Sequence, residues 1–278
     1  MTYKKNICKY FTSVGSLSDE QINLAEAALN LSLFAKKNIK LDAYWRHISA
    51  ISRDVKSYLY GIKAPLGLEV RIEAVTHVIH KKYGYIVDPD EFKNNNELDL
   101  TSLIDCRIGN SITLGVLYLI ILWRQKWSAS GLNFPERFLI RLENNRERII
   151  IDPSSGGCTL STENLREILK INWGYQEELK PEYFNEVSKR DILLNMQENN
   201  LISYLNKNRI EEAIKTIMIA NLLAPNKLTF WRKSGKIRYQ FTNAPHIINA
   251  FEHYLEGNIS EKMRNIAMPL LQDLQHNP

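Results

Sequence analysis

Between Asp105 and Asp152 the chain carries Gly109-Asn110-Ser111-Ile112-Thr113-Leu114-Gly115, which opens an apolar run reaching Trp123. It then carries Phe134-Pro135-Glu136-Arg137-Phe138-Leu139-Ile140-Arg141, and finally Ile149-Ile150-Ile151-Asp152-Pro153. The first segment predicts a buried helix that starts at Ser111. The second predicts a strand entered near Arg137, and the third a strand that ends at Asp152. Helix start, strand start and strand end form the order in which a cysteine acyl-transfer site sets its nucleophile, its base and the residue that orients the base. The nucleophile of such a site belongs on the first helical turn, where unpaired N–H groups and the helix dipole favour a thiolate. Here the three positions read Ser111, Arg137 and Asp152. Arginine keeps its proton at any working pH, so Arg137 cannot take one from Ser111, and a serine hydroxyl without a base is a poor nucleophile. The expected site has the layout of a triad with no catalytic residue in it.

These segments, together with Gly156-Gly157 after Asp152-Pro153, resemble the SirB-type branch of the transglutaminase-like superfamily over nearly the whole chain. The resemblance is closest to enterobacterial members. These place a G-x-x-[VI]-[ST]-L-G segment before the buried helix, an F-P-x-x-[LF]-[LI]-[LI]-R strand, and a strand ending in [DN]-P. The matching residues are Gly109 to Gly115, Phe134 to Arg141 and Asp152-Pro153. Broader members carry a His in the Phe-Pro segment, where this chain has Arg137. The resemblance implies an α+β fold: a degenerate papain/transglutaminase-like core of helices and a small antiparallel sheet, followed by an all-α tetratricopeptide-like module. The expected division is 1–185 for the helical lead and core and 186–278 for the module.

Composition agrees with a folded chain. It has 278 residues, 44% of them hydrophobic and 24% charged, enough for one sizeable core plus an appended module. The longest apolar run, Ile112 to Trp123, falls short of the ~20 residues a membrane-spanning helix needs. The segment Met1 to Phe11 has lysines but no apolar stretch of the secretory kind, so a cytoplasmic protein is expected. Cys8, Cys106 and Cys158 are odd in number and form no C-x-x-C pair, which predicts reduced thiols. Cys106 and Cys158 flank the site, where a displaced nucleophile is one reading and two small, partly buried residues the plainer one. The 36 Lys+Arg against 31 Asp+Glu give +5, too little and too scattered for a nucleic-acid interface.

Apolar spacing at Ile22, Ala25, Leu29 and Leu33 predicts a helix over 18–37 with Ser18 as its N-cap. A second helix is expected from about Ala43 to Tyr60 and a third from Leu68 to Lys82, with a polar loop over 88–96. Glu73, His77 and His80 share a face of the third helix, but i, i+3 histidines without a distant third ligand read better as a polar face than as a metal site. Pro153 to Gly157 predicts a tight turn; no P-loop lysine follows that would make it a phosphate cradle. No cofactor is implied.

Residues 194–261 carry landmarks of two tetratricopeptide units: Tyr204, Ala213, Ile217, Ala220 and Pro225, then Trp231, Gly235, Ile247 and Phe251. Two units cannot bury their own faces, so they should dock on the preceding core and present a protein-binding surface. The leading functional expectation is therefore a non-catalytic protein with tetratricopeptide-like repeats and an unidentified protein partner, binding neither nucleic acid nor membrane. One alternative is small-anion binding by Arg137 and the Ser111 helix N-terminus, against the plainer reading of an Arg137–Asp152 ion pair. Another is a residual hydrolase using Ser111, Cys106 or Cys158 with His47, His77 or His80 as base.

Overall fold

The computed structural model describes residues 2–36, 39–62, 66–88, 98–135, 137–144, 147–207 and 209–224, with Glu252, Arg264, Met268 and Gln272. Its centre is α6 (Ser111–Arg124), in which every residue from Ile112 to Leu122 is buried. A helix apolar on all sides must be covered on all sides. One side of α6 meets the sheet, and the others meet α2 (Leu24–Ala35), α3 (Leu41–Leu59), α5 (Leu100–Cys106) and α8 (Lys189–Asn206).

The sheet is an antiparallel meander of β3 (Ser128–Phe134), β4 (Arg137–Glu143), β5 (Arg148–Asp152) and β6 (Cys158–Leu160). Phe134 pairs with Arg137 across the tight β3–β4 turn. β4 is buried on both faces, which explains its continuous apolar run. Phe138, Ile140 and Leu142 join the main core under α6, while Leu139 joins a smaller cluster with Leu132, Phe134, Leu165 and Leu169, the last two supplied by α7 (Thr162–Trp173). The ring of Phe138 lies between two glycines. A Cβ on Gly115 of α6 would sit 2.3 Å from Phe138 Cδ1, and one on Gly131 of β3 would sit 2.4 Å from Phe138 Cζ. The closing glycine of the Gly109 to Gly115 segment is thus the recess into which the Phe-Pro strand packs.

The helical lead differs from the expected pattern in two places. An additional helix, α1 (Thr2–Gly15), buries Ile7, Phe11 and Val14. α2 begins at Leu24, capped by Asn23, rather than after Ser18. The cause is tertiary: the Asp19 carboxylate accepts hydrogen bonds from the backbone N–H groups of Lys189 (3.0 Å) and Arg190 (2.9 Å), which holds 18–22 as a turn against the start of α8. α3 agrees with expectation within two residues. The third helix, α4 (Leu68–Thr76), runs into a π-helical turn over His77–Lys82.

α8 and α9 (Ile210–Leu223) pack against one another, and α9 lies on α1. Arg190 ties the three together. Its guanidinium donates to Leu17 O (2.6 Å), to Val14 O and to Leu223 O, carbonyls at the C-terminal ends of α1 and α9. Tyr204, Ala213, Ile217 and Ala220, landmarks of the first expected repeat unit, are all buried. Pro225 and the second unit, with Trp231, Gly235, Ile247 and Phe251, lie outside the described residues. No helix among the described residues is long and apolar enough to cross a membrane.

Candidate functional site

Each of the three positions singled out in the sequence sits at the end of an element. Ser111 is the first residue of α6, Arg137 the first of β4 and Asp152 the last of β5. α6 packs on β4 and on the 3-10 turn Pro153–Ser155 that follows β5, and of the three positions Arg137 and Asp152 are in direct contact. A two-residue parallel pair, β1 (Ile86–Val87) with β2 (Ile108–Gly109), adds a further edge, and Asp88 N–H donates to Gly109 O at 2.9 Å beside the helix start.

Asp152 is fully buried and saturated with donors. The Arg137 guanidinium forms an ion pair with Oδ2, which also accepts from the Ser155 hydroxyl at 2.8 Å. Oδ1 accepts from the Ser154 backbone N–H at 2.8 Å and from the Ser154 hydroxyl. Arg137 also donates to Ser155 Oγ at 3.0 Å. A buried carboxylate is tolerable only with such a set. The serines were not foreseen as its partners, although Asp-Pro-Ser is an Asx-turn pattern in which the side chain bonds the N–H two residues on. Gly156 and Gly157 then turn the chain with φ of +71° and +74°. A Cβ on Gly157 would meet the hydroxyls of Tyr118 at 2.4 Å and Thr76 at 2.5 Å.

The start of α6 is built by a reciprocal cap. Asn110 Oδ1 accepts from Thr113 N–H (2.9 Å), and Thr113 Oγ1 accepts from Asn110 N–H (3.1 Å). Asn110 is fully buried, and its Nδ2 is without a hydrogen-bond partner among the described residues. Asn110→Ala is expected to lower unfolding free energy by about 1–2 kcal/mol, because the lost cap outweighs removal of the unpaired donor. Urea unfolding monitored by circular dichroism measures this; an unchanged midpoint would contradict the cap's role.

The three histidines considered as displaced bases are engaged elsewhere. His47 Nε2 is 2.7 Å from the Tyr85 hydroxyl. His77 stacks against Tyr58, whose hydroxyl donates to Glu73 at 2.9 Å. His80 Nδ1 is 2.7 Å from Tyr85 O, which makes Nδ1 the protonated nitrogen, and its ring lies beside that of Tyr118. Glu73 and His77 thus share Tyr58, whereas His80 faces Tyr85 and Tyr118. Cys106 and Cys158 are both exposed. Desolvation first, then the Asp152 carboxylate, push the Cys158 thiol above its ordinary value, opposed by Arg137, which is the wrong direction for a nucleophile.

Burial pushes His80 below its ordinary value of 6.5, and the Tyr85 carbonyl only partly offsets this. Below 6.5 the unfolded chain takes a proton that the folded chain resists. This contribution to stability is therefore complete above about pH 6.5 and is lost as pH falls through that value. His47 acts in the same direction, again through burial first. The melting temperature should fall between about pH 7 and pH 5.5, and fall less steeply in His80→Gln. Equal slopes in the two proteins would remove His80 from the account.

The chain is similar to known proteins over most of its length. The family model described as transglutaminase-like superfamily matches residues 42–198, more than half of the chain. A protein named UPF0162 protein from Xylella fastidiosa (strain 9a5c) is 25% identical over 250 residues, covering 88% of each chain. One of the same name from Vibrio cholerae is 22% identical over 265 residues, 94% of this chain and 97% of that one. Another from Haemophilus influenzae is 23% identical over 194 residues, 68% of this chain and 70% of the relative. No solved structure matches.

Proposed function

The chain belongs to the transglutaminase-like superfamily, and from that premise we propose that it is a non-catalytic, SirB-type member whose core serves as a scaffold for protein interaction in the cytoplasm. One observation carries the reading: Arg137, the residue at which the sequence pattern sets the base, is ion-paired with the buried Asp152. In an active triad the acidic residue orients an imidazole that shuttles a proton. Arg137 supplies a fixed charge in place of that shuttle, and Asp152 neutralises it. The same pairing weighs against small-anion binding, because the charge that would attract an anion already has a buried partner and a serine hydroxyl. The positions of His47, His77 and His80 and the raised Cys158 thiol weigh against a residual hydrolase.

The interaction half of the proposal rests on the helical tail. Tyr204, Ala213, Ile217 and Ala220 are buried where α8 and α9 pack on one another, which supports reading this helical pair as one tetratricopeptide-like unit and the module it begins as the partner-binding element. The expected partner is a protein rather than nucleic acid or membrane. Affinity capture of the tagged full chain from its native cells, with mild cross-linking, should return a stoichiometric protein partner that Ser111→Ala still retains. Recovery of the chain alone would count against a scaffold, and labelling of the wild-type protein by serine- or cysteine-directed activity probes would restore the hydrolase.

A further inference from the structure

A cavity of about 440 Å³ opens between the N-terminal end of α3 and the C-terminal end of α5, and none of Ser111, Arg137 and Asp152 lines it. Its walls carry Lys40, Tyr44, His47, Asp105 and Arg107, and Ile104 contributes apolar surface. Arg107 is fixed in three ways. It closes α5 in the left-handed region at φ +63°, its Nη1 donates to Ile104 O and to the Tyr85 hydroxyl (2.9 Å), and its guanidinium lies 4.8 Å from the centre of the Tyr85 ring. All of these partners are neutral. Neither Arg107 nor Lys40 forms an ion pair with a carboxylate among the described residues, so two cations face the cavity without a counter-ion at contact distance.

The remaining polar groups fit one arrangement. Asp105 accepts from the Tyr44 hydroxyl at 2.9 Å, which occupies one of its oxygens. The Tyr85 hydroxyl accepts from Arg107 and so donates to His47 Nε2, 2.7 Å away, leaving His47 with Nδ1–H as a donor. Burial, reinforced by the charge of Arg107, keeps that ring neutral near pH 7. A half-buried guanidinium whose partners are all neutral, held in a left-handed backbone next to a lysine, a neutral imidazole and apolar wall, leaves the cavity net positive even with the Asp105 carboxylate counted, which suits a carboxylate ligand.

We propose that this cavity binds a small organic carboxylate, with its anionic end on Arg107 and Lys40 and its hydrocarbon part against Ile104. The volume lies at the small end of ligand sites in general. The site is independent of the scaffold reading, since it shares no residue with Ser111, Arg137 or Asp152.

The test is titration of the full chain with benzoate and with succinate, against inorganic phosphate at matched ionic strength, read by calorimetry and thermal shift. Saturable binding of at least one carboxylate, with phosphate weaker, is the expected result. Arg107→Gln and Lys40→Glu should each weaken it about tenfold or more, the loss of one charge-assisted contact, while Ser111→Ala leaves it unchanged. Lys40 is exposed, so its variant keeps the fold and decides the matter even where Arg107→Gln fails to fold. No saturable effect of either carboxylate, phosphate binding as tightly, affinity untouched by Lys40→Glu, or loss in Ser111→Ala would each overturn the proposal.

Discussion

Phe138→Ala is expected to cost about 3–5 kcal/mol of unfolding free energy, the range for deleting a buried aromatic ring. The ring is 4% exposed and touches both layers of the core, α6 through Gly115 and β3 through Gly131. Collapse around the vacated space is limited because both neighbours are backbone of regular elements, so the cavity persists and the upper part of the range applies. The reciprocal change is Gly115→Ala, whose Cβ has no room beside Phe138 and should cost about 1–3 kcal/mol through overpacking. In a Phe138→Leu background the same alanine should cost markedly less, since residues in contact couple by roughly 0.5–3 kcal/mol. Denaturant midpoints of the four proteins measure the cycle. Additive effects would mean that Gly115 is not there to receive the ring.

Arg137→Ala comes second in magnitude, at about 3 kcal/mol. Removing one member of a buried pair leaves an uncompensated carboxylate, a loss of roughly 3–5 kcal/mol when both partners are buried. The Arg137 side chain is 33% exposed, and Ser154 and Ser155 still donate to Asp152, which together set the value at the low end. Arg137→Ala with Asp152→Asn should recover most of the loss, because the neutral amide no longer needs a counter-charge. A double variant as unstable as the single one would show that Arg137 acts through packing of its stem rather than through its charge.

The legibility of this chain in its sequence follows from which interactions are local. The apolar run from Ile112 to Trp123 reads as a buried helix and the Phe-Pro segment as the start of a strand, so the element ends that carry Ser111, Arg137 and Asp152 were readable, while the burial of β4 on both faces was not. α1 also had a signal, since Ile7, Phe11 and Val14 fall at i, i+4 and i+7, but its polar remainder masked it. The start of α2 was not readable from Ser18 and Asp19. Asp19 is recruited by backbone N–H groups of residues 189 and 190, far away in sequence, and nothing local announces that. The Arg107, Tyr85 and His47 group is hidden for the same reason, since it joins α3, the segment before β1 and the end of α5. Ser154 and Ser155 were visible as a turn but acquire meaning only once β5 and β4 bring Asp152 to Arg137.

The central claim is that this transglutaminase-like core performs no acyl transfer. Its most direct test is intact-protein mass spectrometry of the full chain after exposure to an activated acyl ester and to a glutaminyl peptide with hydroxylamine, with Ser111→Ala, Cys106→Ser and Cys158→Ser in parallel. The account predicts an unmodified mass, no ester hydrolysis above background and no hydroxamate product. An acyl adduct, or turnover, that disappears in any one of the three variants would contradict it and identify the nucleophile.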